Sequence, residues 1–269
     1  MVCILDGISR DDIANAPFPY ISKKGCLPPD AYQHLYNTAP QLRYDESSEN
    51  NTLELLSIPE VIQSFGLDQA WHQFSATHLS PDFYRQLIAL FRPHIDHYYP
   101  GLDQRVGSPL ETLRAGLRNS ATDFQVGLDC QFGFNTPVRT PSRVRAIHAD
   151  KTIRLISGLL YMRHPDDRST GGDLLIYKFK KTRQYNDIHG VSVDDGDAEH
   201  VATVPYEANR LILFLNTPDS LHGVSVRSVT PIARRYINFV VELKVPLFDV
   251  KRCIGTGHNA AVDQERMPA

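Results

Sequence analysis

The stretch from about Phe124 to Leu243 constrains the fold most. It consists of short β-branched and aromatic runs separated by Gly, Pro, Asn and Asp, the pattern of an all-β barrel or sandwich. Strands are expected near residues 126–134, 143–150, 154–163, 173–180, 199–205, 210–215, 222–226 and 234–243. Eight such strands make a double-stranded β-helix of the jelly-roll, cupin-like type. Gly171-Gly172 and Asp194-Asp195-Gly196-Asp197 mark turns, and the second lacks the spacing of a calcium loop.

The region before it reads as helical. Pro28-Pro29-Asp30, Ile58-Pro59-Glu60 and Ser80-Pro81-Asp82 each carry helix-start signals. Phe83, Leu87, Leu90 and Phe91 then form an apolar stripe, and Pro93 is expected to end or kink that helix. Tyr44 to Asn51 reads as a polar surface loop. The 269 residues therefore divide into a mainly helical support region (1–120), a β core (121–250) and a loose polar tail (251–269), all one domain.

A net charge of −3 gives no reason to expect nucleic acid or an anionic membrane as partner, and no apolar run reaches the length of a membrane span. Cys3, Cys26, Cys130 and Cys253 lack metal-ligand spacing and fit reduced thiols in a cytoplasmic protein. The start, Met1-Val2-Cys3, has no basic region of the kind that precedes a secretory core.

Within the β core, His148-Ala149-Asp150 ends an alternating run. Residues two apart in a strand share a face, so this imidazole and carboxylate aim at one point. His222 follows 74 residues later (222 − 148), enough for the intervening strands to return it beside them. Two His and one carboxylate on one face suit non-haem Fe(II) with open positions opposite, and the same set also binds zinc. A His-x-Asp pair is common by itself. His94-Ile95-Asp96 is a rival, but helical periodicity there sends the two side chains in different directions.

The order His148-Ala149-Asp150, Leu155 to Met162, Gly171-Gly172-Asp173-Leu174, Asn209 to Phe214, His222 and Arg235-Tyr236 resembles the iron(II)/2-oxoglutarate-dependent dioxygenases, in particular their prolyl-4-hydroxylase-like branch, over residues 125–245. The resemblance implies Fe(II) on His148, Asp150 and His222, with 2-oxoglutarate and O₂ as cosubstrates. It implies hydroxylation of an unactivated C–H of a small molecule or amino-acid unit, with release of succinate and CO₂.

The cosubstrate's distal carboxylate needs a cation. Arg235 shares a strand face with Ile237, Phe239 and Val241, and Arg234 shares the other with Tyr236, Asn238 and Glu242. A charge on the apolar, inward face needs a partner, which selects Arg235 as the anchor. The resemblance adds Tyr161 as a second contact, equally readable as a core aromatic. Gln131, on the strand entering the barrel, is a further candidate. Arg139, Arg143 and Arg145 read as a solvated face rather than a site for an acidic group. Asn216 is either a turn former or a donor behind the metal ligands. The alternative function is a cupin-like metal-binding protein or isomerase without 2-oxoglutarate chemistry, and a zinc hydrolase is a third reading.

Overall fold

A computed structural model describes residues 2–120, 123–183, 185–186 and 191–250. The polar tail and Cys253 therefore lie outside the described residues.

Two sheets form the β part. The larger has seven strands: β1 (Tyr20–Lys24), β2 (Leu53–Ser57), β3 (Ala115–Leu117), β4 (Val126–Asn135), β5 (Arg154–Tyr161), β8 (Arg210–Leu215) and β10 (Arg234–Leu243). Their order is β1-β8-β5-β10-β4-β2, antiparallel throughout, with β3 parallel to β4. The smaller sheet has the order β7-β6-β9, from β6 (Leu174–Phe179), β7 (Ala198–Val204) and β9 (His222–Val224).

Three strands thus come from the first 120 residues, which sequence periodicity read as helical. Each is only three to five residues long, too short for alternation to register. The expected strand at 143–150 is not a regular strand either. It is an extended segment fixed by isolated bridges, His148 to His222 and His148 to Ser192. Backbone bonds on both sides hold it: Val224 donates to Arg145 (3.0 Å), and Ala149 donates to Val191 (2.8 Å).

The helices are α1 (Pro29–Thr38), α2 (Ile58–Phe65), α3 (Gln69–His78), α4 (Pro81–Tyr98) and α5 (Leu102–Val106). Ser80 caps α4 by accepting from Phe83 N (3.1 Å), as its sequence predicts. Pro93 does not end α4, which continues to Tyr98. The carbonyl that a residue-93 N–H would have bonded is that of Ala89, and the Arg10 guanidinium donates to it instead (2.7 Å).

There are two apolar layers. One lies between the helices and the outer face of the large sheet; there Phe239 packs near the rings of Phe74, His78 and Phe83 (centroids 6.2, 5.1 and 6.3 Å). The other lies between the two sheets and joins Phe18, Tyr161, Leu174, Ile176, Ile212 and Phe214. Strands β4 and β10 are buried along their whole lengths because both of their faces are covered.

Candidate metal centre and its pocket

His148 and Asp150 sit on the extended segment and His222 opens β9, directly across the bridge. One donor atom from each lies within 4.8 Å of the others, and the imidazole centroids are 4.3 Å apart. Both rings are oriented from behind. His148 Nδ1 bonds the Ala146 carbonyl and His222 Nδ1 the Ser220 carbonyl, each at 2.9 Å. A ring whose Nδ1 donates to a carbonyl keeps Nε2 as a free lone pair, the form a metal takes. Phe214 packs on His222 with centroids 4.8 Å apart.

The electrostatics agree with that form. Burial, reinforced by the neighbouring His222, pushes His148 down to about 3, and burial also lowers His222. For Asp150, burial acts upward, but the Arg154 guanidinium and the two imidazoles outweigh it and hold the carboxyl well below its ordinary range. Ser157 donates to Asp150 Oδ2, and Arg154 reaches Oδ1 at 3.3 Å. Behind Arg154 the charges alternate: Arg154 to Glu242 (3.2 Å), Glu242 to Arg118 (3.1 Å) and Arg118 to Asp129 (2.7 Å). Two neutral imidazoles and one carboxylate, each held in place, can bind a divalent metal ion.

Asn216 stands behind the ligands. Its Nδ2 donates to the carbonyls of Lys151 (3.0 Å) and Arg154 (2.9 Å), and its Oδ1 accepts from Ser220 (2.9 Å). It therefore ties the turn after Asp150 to the loop that precedes His222. His94 and Asp96 lie on α4, bonded to Asn15 and Arg92 respectively, with no part in the centre.

The three ligands line a cavity of about 620 Å³ together with Gln131, Ser157, Leu159, Arg234, Tyr236 and Asn238. Gln131 accepts from Asn238 Nδ2 at 2.9 Å. The placement of Arg235 corrects the sequence expectation. The apolar face of β10 packs on the helices, so Arg235 emerges on that side, over the Tyr36 ring at 4.5 Å. The polar face turns toward the smaller sheet and carries Arg234 into the cavity.

Arg234 is 2% exposed. Its Nε donates to the Gly172 carbonyl (2.8 Å) and its Nη1 to Asn135 Oδ1 (3.2 Å). Nη2 has no hydrogen-bond partner, and no carboxylate pairs with the group among the described residues. The rings of Tyr161, Tyr206 and Tyr236 surround it at 5.0, 4.9 and 4.9 Å. The Tyr161 hydroxyl is likewise buried without a partner, and burial pushes it up to about 12, so it remains a donor. The turn at Gly171-Gly172 supplies the Gly172 carbonyl. Both glycines have positive φ (76° and 77°), and a Cβ on Gly171 would fall 1.9 Å from the Val226 carbonyl.

Sequence reasoning weighs Arg234 but prefers Arg235, and it does not single out Arg154 or Ser157. The signal was present for the first: a strand with one apolar face and one face of Arg, Tyr, Asn and Glu, buried on both sides, must enclose polar contacts on the second.

No family model matches this chain, and no curated protein matches it. Solved structures do. A prolyl-4-hydroxylase from Pseudomonas putida is 17% identical, with 84% of this chain and 93% of that chain covered and a TM-score of 0.41. A prolyl hydroxylase from Trichoplax adhaerens, in complex with a hypoxia inducible factor peptide fragment, is 13% identical over 84% of each chain, with a TM-score of 0.39. The epimerase SnoN, in complex with Fe3+, alpha ketoglutarate and nogalamycin RO, is 12% identical over 83% of this chain and 78% of that one, with a TM-score of 0.41.

Proposed function

We propose that this chain is an Fe(II)/2-oxoglutarate-dependent oxygenase built on a double-stranded β-helix, which hydroxylates a small molecule or amino-acid unit. The observation that carries the reading is Arg234, a buried guanidinium with no counter-ion among the described residues, in the same cavity as His148, Asp150 and His222. A desolvated charge without a partner is costly, so this site calls for an anion. A dicarboxylate with one end at the metal and the other at Arg234 Nη2 and the Tyr161 hydroxyl satisfies both groups. This favours the oxygenase over a cupin-like binding protein, an isomerase or a zinc hydrolase, none of which needs the second anion site.

When bound there, iron and 2-oxoglutarate would supply the oxidative step with O₂ as oxidant: one oxygen atom would enter succinate as CO₂ is lost, and the other would be inserted into a C–H bond. The chain's own part is to bind, orient and exclude water. His148 and His222 offer Nε2 because their Nδ1 atoms are committed to carbonyls. Asp150 stays ionised beside Arg154 and Ser157. Arg234 and Tyr161 donate to the distal carboxylate, and Leu159 and Phe214 dry the space between. A cytoplasmic location belongs to the same reading, supported by unpaired thiols at Cys3, Cys26 and Cys130. No helix among the described residues is long and apolar enough to cross a membrane.

Anaerobic addition of Fe(II) and then 2-oxoglutarate tests the proposal. The expected result is a weak visible charge-transfer band that is absent in His222→Ala, and succinate release once air is admitted. Metal binding without the band would overturn the cosubstrate assignment.

A further inference from the structure

The cavity wall next to the metal ligands is strongly basic. Arg118, Arg143, Arg145, Lys151, Arg154 and Arg234 line the cavity, against one lining carboxylate, that of Asp150. Most of these charges are already used. Arg118 and Arg154 share Glu242, Arg143 pairs with Asp195 (2.8 Å), and Arg234 is buried. Arg139, which the sequence groups with Arg143 and Arg145, lies outside this cavity and donates to the Asp45 and Ser48 carbonyls.

Arg145 and Lys151 remain. Both side chains are exposed, both line the cavity, and neither has a hydrogen-bond or ion-pair partner among the described residues. Their backbones are nonetheless fixed. The Arg145 carbonyl accepts from Val224 (3.0 Å), and the Lys151 carbonyl accepts from Arg154 N (2.9 Å) and Asn216 Nδ2 (3.0 Å). They flank the His148–Asp150 pair in sequence, and both are exposed members of the lining that the three ligands share.

The edge strand β2 supplies a contrasting wall. Leu53 and Leu55 line the same cavity and are 43% and 42% exposed, on the face of β2 that carries no charge. Large apolar side chains left open beside a functional cavity mark a surface that a ligand covers.

We propose that the substrate is an amphipathic anion, its carboxylate or phosphate group held at the entrance by Arg145 and Lys151 and its apolar body laid against Leu53 and Leu55. This assignment rests on the cavity being the active site, as argued above, but not on which reaction occurs there. An anion bound here also differs from one bound by Arg234, because Arg145 and Lys151 are exposed and Arg234 is buried.

The test uses the full chain without metal and four probes of equal length: octanoate, octyl phosphate, octanol and octylammonium, titrated by ligand-observed NMR. The two anions are expected to bind more tightly than octanol by about fivefold or more, and octylammonium least tightly, since each exposed charge contact adds only a modest factor. The variant Arg145→Gln/Lys151→Gln should remove that advantage while leaving octanol affinity and the melting temperature unchanged. Leu53→Ser/Leu55→Ser should weaken all four probes together. Octanol binding as tightly as the anions would overturn the proposal, as would an anion advantage that survives in the Arg145/Lys151 variant. An advantage abolished by Arg234→Gln with the entrance intact would place the anion at Arg234 and overturn it too. These titrations need no turnover, so a failed charge-transfer experiment and a failed entrance site give separate results. With an active preparation, the same variant should raise KM for the true substrate without changing KM for 2-oxoglutarate.

Discussion

At the residue scale, the proposed function turns on which of two adjacent arginines would meet the cosubstrate. Arg234 is buried with Nη2 unpaired, whereas Arg235 lies over Tyr36 on the other face of β10. Losing one desolvated, charge-assisted contact costs roughly 2 kcal/mol or more, or about thirtyfold in affinity. Arg234→Gln should therefore raise KM for 2-oxoglutarate about thirtyfold or more, with iron affinity retained, while Arg235→Gln should change it little. Titrations of 2-oxoglutarate at saturating iron decide it, and the opposite ranking would refute the placement. Arg154 acts one step further out. It bridges Asp150 and Glu242, so Arg154→Met should let the Asp150 carboxyl rise toward its ordinary range and weaken the metal site. The expected loss in Fe(II) or Mn(II) affinity is about tenfold, the lower end for a partner of a metal ligand. Unchanged affinity would mean that Ser157 and the imidazoles hold Asp150 without it.

At the scale of elements, α4 gives a self-contained test. A proline inside a helix leaves the carbonyl four residues earlier without its donor, and here Arg10 takes that place. Arg10→Ala should cost about 0.5–1 kcal/mol, the worth of a partly exposed hydrogen bond. In a Pro93→Ala background the residue-93 amide can bond Ala89 itself, and the cost of removing Arg10 should fall toward zero. Equal costs in both backgrounds, measured by urea unfolding, would show that the two positions are not coupled. The same elements show what the sequence makes legible. Strands β4, β5, β6, β7, β8 and β10 and the starts of α1, α2 and α4 were readable, because each combines a clear period with a capping or turn signal. Strands β1, β2 and β3 were not, because pairing with β8 and β4 makes them strands rather than anything local. His148, Asp150 and His222 were readable as a set from spacing, and the structure brings them together. The choice between the two arginines was not legible for one reason. Sequence alone reads the apolar face of β10 as the inside of a barrel, whereas in the structure that face packs on the helices.

At the scale of the whole molecule, a buried imidazole sits where the helix layer meets the large sheet, and it is expected to make stability depend on pH on the acid side. This is His78. It is 1% exposed in the layer between α3, α4 and the large sheet, where its Nδ1 bonds the Phe74 carbonyl (2.7 Å) and its Nε2 accepts from Ile4 N (3.1 Å). Both nitrogens are thus committed in the neutral ring, and burial pushes it down to about 4. Unfolded, the same side chain titrates near 6.5. Above that pH neither state carries the proton, and His78 adds no pH dependence. As the pH falls from about 6.5 to about 4, the unfolded chain takes up a proton that the folded chain refuses, so stability declines with falling pH. By pH 5 the difference is about 1.5 units, or roughly 2 kcal/mol at 1.36 kcal/mol per unit. His78→Gln removes the titration whatever it costs in packing, because that cost is the same at both pH values. The stability lost between pH 7 and pH 5 should accordingly be about 2 kcal/mol smaller in His78→Gln than in the parent, by urea unfolding of the metal-free chain. His148 and His222 titrate in both proteins and cancel from the comparison. Parallel losses in the two proteins would mean that His78 takes its proton in the folded state, and that the bond from Ile4 N yields to it.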